Sequence, residues 1–176
     1  MRAARQGIGA GETDTTRILL REAQLLLGYP DSPIVGGEHT AEPRPGMRAP
    51  DAAGLRQDPL GVSLRCHELF RHPGHTLLVW AASPDAVPAA LELVDAVQRR
   101  TAAQVRGYVV TPGAGHCSGR VLADADGNLA AAYGFTETGI SPAVCLVRPD
   151  GYISFRSAAA HIDELIDHIS LTLRLD

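Results

Sequence analysis

Residues 143–155 read AVCLVRPDGYISF: two short apolar runs on either side of Arg148-Pro149-Asp150-Gly151. Proline second in the turn presets its own φ, aspartate can bond the backbone two residues on, and glycine tolerates conformations that side chains avoid. The stretch therefore predicts a β-hairpin with strands over 143–147 and 152–155. Working outward, His75–Ala81 (HTLLVWA) and Val105–Thr111 (VRGYVVT) are continuous apolar runs of the kind buried on both faces of a sheet. Between them Ser83, Pro84 and Asp85 open a helix with Val87, Leu91, Val94 and Val97 on one face, and Pro88 marks its regular start. A glycine-rich loop, TPGAGHCSGR, follows the second run and leads to a short helix around Leu129–Tyr133. A last helix begins near Ala158 and repeats Ile162, Leu165, Ile166, Ile169 and Leu173 at helical spacing.

Two strands joined through a helix lie parallel, and the hairpin adds an antiparallel pair. The order β-α-β, then loop and helix, then β-hairpin-α predicts an α/β fold with a central mixed sheet, the thioredoxin arrangement, over residues 45–176. Pro142, just before the first hairpin strand, stands where thioredoxin-like proteins keep a cis-proline. Residues 15–44 read as an N-terminal helix and a proline-rich connector. Ile18, Leu19, Leu25 and Leu26 line the helix, Thr15 or Thr16 caps it, and Gly28 ends it. That many apolar residues call for a packing partner. Pro30, Pro33, Pro43, Pro45 and Pro50 then favour extended chain. Residues 1–14 read as a disordered tail. Gly7, Gly9 and Gly11 have no strand before them and no βαβ unit around them, so they do not read as a dinucleotide loop.

The 176 residues carry a net charge of −4 with 45% hydrophobic residues, a globular balance without the basic face that nucleic acid needs. No apolar run approaches the roughly 20 residues of a bilayer span. The two early arginines lack the apolar core of a secretory signal, and three widely spaced cysteines make no disulfide framework. The expectation is a soluble cytoplasmic protein that touches neither nucleic acid nor membrane.

A working thioredoxin carries Cys-x-x-Cys at the start of the helix after its first core strand, where the dipole lowers the thiol pKa. Here that stretch is Trp80-Ala81-Ala82-Ser83-Pro84-Asp85. Cys145 reads as a core residue, and Cys66 as core or surface on a short helix. His116-Cys117 in the glycine-rich loop is the remaining thiol-and-base pair and the candidate for a small peroxiredoxin-like enzyme, although neighbours in extended chain often point apart. Cys66, His67, His72, His75 and His116 lack the tight ligand pairs of a zinc site and read as solvated or locally hydrogen-bonded, with no metal expected. Asp124-Ala125-Asp126-Gly127-Asn128 resembles a calcium loop, yet its twelfth position is Phe135 rather than Glu, so a turn capping the short helix is the better reading.

Three stretches carry a family resemblance. Leu146–Arg156 (LVRPDGYISFR) resembles the hairpin of the C-terminal domain in class A flavoprotein aromatic hydroxylases of the phenol-hydroxylase and polyketide-hydroxylase type. Tyr29–Val35 (YPDSPIV) is similar to the segment that leaves the substrate domain of those enzymes. Pro45–Asp51 (PGMRAPD) is similar to the entrance of their terminal domain. The resemblance implies a thioredoxin-like module that is non-catalytic by itself and serves dimerisation or association with a flavoprotein hydroxylase. FAD would enter only through a partner module or a missing domain, because neither flavin motif of the family stands in this chain. A free-standing remnant, half of a split enzyme and a truncated product all fit that reading.

Overall fold

The computed structural model describes residues 15, 18–19, 27–57, 61, 63–113, 117, 119–135, 143–157 and 162–174. The tail 1–14, Leu25, Leu26, His116 and Pro142 lie outside them. Among the described residues the strands are β1 (Gly36–Gly37), β2 (Leu55–Arg56), β3 (His75–Trp80), β4 (Val105–Pro112), β5 (Val121–Asp124), β6 (Ala143–Val147) and β7 (Ile153–Ser157). The helices are α1 (Cys66–Leu69), α2 (Val87–Arg100), α3 (Asn128–Tyr133) and α4 (Ile162–Leu173). They build one mixed sheet in the order β1-β7-β6-β3-β4-β5-β2. β3 runs parallel to β4, and β4 to β5, while β6 is antiparallel to both β3 and β7.

The continuous apolar runs are explained by two cores. Alternate residues of the central strands face opposite sides of the sheet. Leu78 and Trp80 of β3, Tyr108 and Val110 of β4, and Cys145 and Val147 of β6 join one core with Leu69, Leu129 and Tyr133. Leu77 and Val79, Val105 and Val109, and Val144 and Leu146 join the other with Leu93, Val94 and Val97 of α2 and Leu165 and Ile169 of α4. Gly107, inside β4, is where α2 comes closest: a Cβ there would lie 2.4 Å from Val94 Cγ1. The α2 segment opens through a 3₁₀ turn at Pro84–Ala86 and ends with Arg99 and Arg100 in its last turn, the favourable charge for a helix C-terminus.

The hairpin forms as the turn residues require. Gly151 N donates to Arg148 O at 2.9 Å, and Gly151 takes φ +82°. Asp150 bonds both Arg148 and the Tyr152 N–H. A register shift between Leu146 and Val147 marks a β-bulge.

The structure adds three strands to the expected order. β5 falls between the glycine-rich loop and α3, β2 is antiparallel to β5, and β1, within the connector, is parallel to β7. The domain boundary expected at residue 45 therefore leaves outside it a strand that pairs with β7. Thr15, Ile18 and Leu19 are helical, and Ile18 and Leu19 are 55% and 60% exposed. No helix among the described residues is long and apolar enough to cross a membrane.

Candidate functional site: a cysteine-free redox position and a three-motif junction

The position of a thioredoxin thiol pair is occupied by Ser83, Pro84 and Asp85, at the end of β3 and the start of the α2 segment. An acidic side chain in that first turn and the lack of a close-approach glycine suit neither a thiolate nor a pyrophosphate. Cys66, Cys145 and Cys117 are all buried and unpaired to one another. Burial pushes the Cys66 thiol up to about 12, with the Asp51 carboxylate adding to the rise, although the Ala52 backbone opposes it. Burial also takes Cys145 to about 12, against the pull of Arg156. Cys117 is only 4% exposed. A thiol attacks as its thiolate, so Cys66 and Cys145 are slow nucleophiles in the folded chain, and burial limits reagent access to Cys117. Native protein should react with a disulfide reagent such as DTNB far more slowly than denatured protein, which should release three equivalents. Fast stoichiometric reaction of the native chain would contradict this burial.

Cys66, His67, His72 and His75 do not converge. His72 Nδ1 accepts from Gly74 N at 3.2 Å, and its Nε2 lies 2.9 Å from Thr76 Oγ1, the local bonding expected of it. His67 sits beside Asp51 and against the Phe70 ring. The buried Asp124 carboxylate accepts the N–H groups of Leu129 and Ala130 at 3.2 and 2.8 Å, capping α3 as read from the sequence.

In three histidines the protonated form is disfavoured. Burial lowers His72, with Arg106 contributing, and lowers His75, with Arg148 contributing. Burial, then His75, takes His168 from 6.5 to about 4. In the unfolded chain each protonates near its ordinary value, so the unfolded state binds more protons below about pH 6.5. The penalty is absent above that pH and is complete only below the folded values. The urea midpoint should fall as pH drops from about 7 to 4.5, and fall less in His168→Gln. A midpoint equally pH-dependent in the variant would contradict the assignment to His168.

The residues of greatest interest lie where the connector wraps the hairpin. Tyr29 N donates to Gly46 O at 2.8 Å, Gly46 N to Ile153 O at 2.7 Å, Ile153 N to Met47 O at 2.9 Å and Ala49 N to Gly151 O at 2.8 Å. The Tyr29 and Tyr152 rings meet edge to face at 5.4 Å. Farther along β7, Glu38 N donates to Arg156 O, and Arg156 Nη1 donates to Pro43 O at 2.9 Å. Arg156 is buried, its guanidinium 5.9 Å from the centre of the Phe135 ring, which stacks on Trp80. The Glu42–Pro43 bond is cis. The stretches 29–35, 45–51 and 146–156, far apart in sequence, are thus one hydrogen-bonded junction that holds the start of the domain against the hairpin. Sequence reasoning read each stretch as a pattern and missed their meeting. Arg156 closed the hairpin motif, but its burial went unread, since arginine ordinarily reads as surface.

The architecture defines a thioredoxin-like domain whose redox position lacks cysteine. Residues 42–173 match the family described as aromatic-ring hydroxylase, C-terminal, and the chain belongs to that family. It is 34% identical over 127 residues to a 4-methyl-5-nitrocatechol 5-monooxygenase from a Burkholderia species, covering 72% of this chain and 20% of that protein. The chain thus spans about a fifth of the length of that relative. The flavin-dependent monooxygenase PieE, solved with FAD and substrate, superposes at TM-score 0.62 and 19% identity, covering 96% of this chain and 31% of that one. A thiol:disulfide interchange protein DsbE from Chlorobium tepidum superposes at TM-score 0.52 and 17% identity, covering 72% of this chain and 95% of that one. Identities this low speak to fold alone.

Proposed function

We propose that this chain is the non-catalytic terminal module of a flavin-dependent aromatic-ring monooxygenase, acting by association with a flavoprotein hydroxylase or with a second copy of itself. The observation that carries the reading is the junction of Tyr29, Gly46 and Ile153, which fixes the connector to the hairpin. A thioredoxin-like core has no need of that connector, and the likeness to PieE covers more of this chain than the likeness to DsbE does. The exposed Ile18 and Leu19 suit a covered surface. FAD belongs to the partner: a flavin site needs a glycine-rich strand-to-helix turn, and β3 leads instead into Ser83-Pro84-Asp85. Buried, unpaired thiols fit the reducing cytoplasm, where we place the protein.

The test is visible absorption of the purified chain during titration with FAD, followed by sedimentation alone and with a flavoprotein hydroxylase lacking its own terminal module. The expected result is no flavin bands and no saturable FAD binding, with a dimer or a mixed complex in the sedimentation profile. Saturable FAD binding by this chain alone would overturn the proposal, as would a monomer indifferent to the hydroxylase.

A further inference from the structure

At the end of the sheet opposite Ser83–Asp85, a cavity of about 350 Å³ opens between the α1–β3 loop, the start of β4, the hairpin turn and the end of α4. Its polar wall is His72, His75 and Arg106, and Pro149 and Leu173 contribute apolar surface. His72 has both ring nitrogens engaged, by Gly74 N and Thr76 Oγ1. His75 differs. It is only 8% exposed, its backbone N–H is taken by Gln104 O, and its ring has no hydrogen-bond partner among the described residues. Thr111 Oγ1 is the buried side-chain polar atom left without a partner among the described residues, so the His75 ring reaches the solvent of the cavity and can exchange that contact for a ligand atom. Arg106 is exposed and has no carboxylate partner among the described residues. The acid near His75, Asp150, is itself tied to Arg148.

An unpaired guanidinium, an unpartnered imidazole and apolar walls select an anion with a small hydrophobic body. We propose that this cavity binds a small organic carboxylate. The carboxylate accepts from the His75 ring and the Arg106 guanidinium, and its apolar body rests on Pro149 and Leu173. Such a ligand would raise the His75 pKa, since an opposite charge favours the protonated ring. His72 from the loop, Arg148 and Asp150 from the turn and His168 from α4 also act on that ring, and Arg106 acts on His72.

Benzoate is the probe and benzamide its neutral counterpart, followed by NMR of the histidine ring signals of the full chain at about pH 5.5 and 8. The expected result is saturable benzoate binding with a Kd near 1 mM. Binding should be several-fold tighter at the lower pH, with the His75 titration moved upward by ligand. Arg106→Gln, at an exposed position that leaves the core intact, should weaken it about tenfold. No saturable shift, equal binding of benzamide, or unchanged affinity in Arg106→Gln would each overturn the proposal.

Discussion

Gly46→Ala should destabilise the domain by about 2–4 kcal/mol and release the connector from the hairpin. Gly46 has φ +85°, and a Cβ there would lie 2.6 Å from Pro30 N and Tyr29 C and 2.7 Å from Pro30 Cα. All three are backbone atoms, so no flexible side chain can swing away. Relief requires breaking the bond from Tyr29 N to Gly46 O or the bond from Gly46 N to Ile153 O. Gly151 supplies the control. It has φ +82° but nothing within 4 Å of its Cβ position, so Gly151→Ala should cost only about 1–2 kcal/mol. Urea denaturation measures both, and limited proteolysis reads the connector directly. Equal costs at the two glycines, or a connector as protected as in the parent chain, would refute the account of the junction.

Asp124→Ala should cost about 2–3 kcal/mol, concentrated in α3. Asp124 is 1% exposed, and its carboxylate satisfies two N–H groups at the start of a helix whose N-cap, Gly127, has no side chain to offer. Alanine leaves both donors without this acceptor, the Ala130 N–H half-buried and the Leu129 N–H buried, and Leu129 is fully enclosed in the core with Tyr133. Asp124→Asn keeps one acceptor oxygen and should lose about half as much. Denaturant midpoints decide the order parent, Asn, Ala; an alanine variant as stable as the parent would show that the cap is not needed.

Legibility in the sequence tracked how local each cause is. The 148–151 turn, the apolar runs of β3 and β4 and the spaced apolar residues of α2 carry their explanation within a few residues, and the structure forms them where expected. β5 did not announce itself. Val121–Asp124 is too short to show a period, and it ends on an acid that serves a cap. Gly36–Gly37 has the composition least suited to a strand, and pairs because the connector approaches Arg156 so closely that a Cβ on Gly37 would lie within 3.0 Å of three of its backbone atoms. The junction was legible as three motifs, but not as one site, because only folding brings Tyr29 to Tyr152 and Pro43 to Arg156. His116 and Pro142, singled out for thiol activation and for a cis bond, lie outside the described residues.

The two-residue strands at either border of the sheet bear on how this chain can meet others. On the β7 side, Gly36–Gly37, Glu38, Gly46 and Met47 already take up backbone groups from Ile153 to Arg156. On the β5 side, Leu55–Arg56 does the same and is itself held by Leu64. Among the described residues no long run of open peptide groups remains there as a template for strand addition, the usual route to sheet-to-sheet fusion and to fibrils. Across the described residues, side chains rather than open strand edges are what the borders of the sheet offer a neighbour.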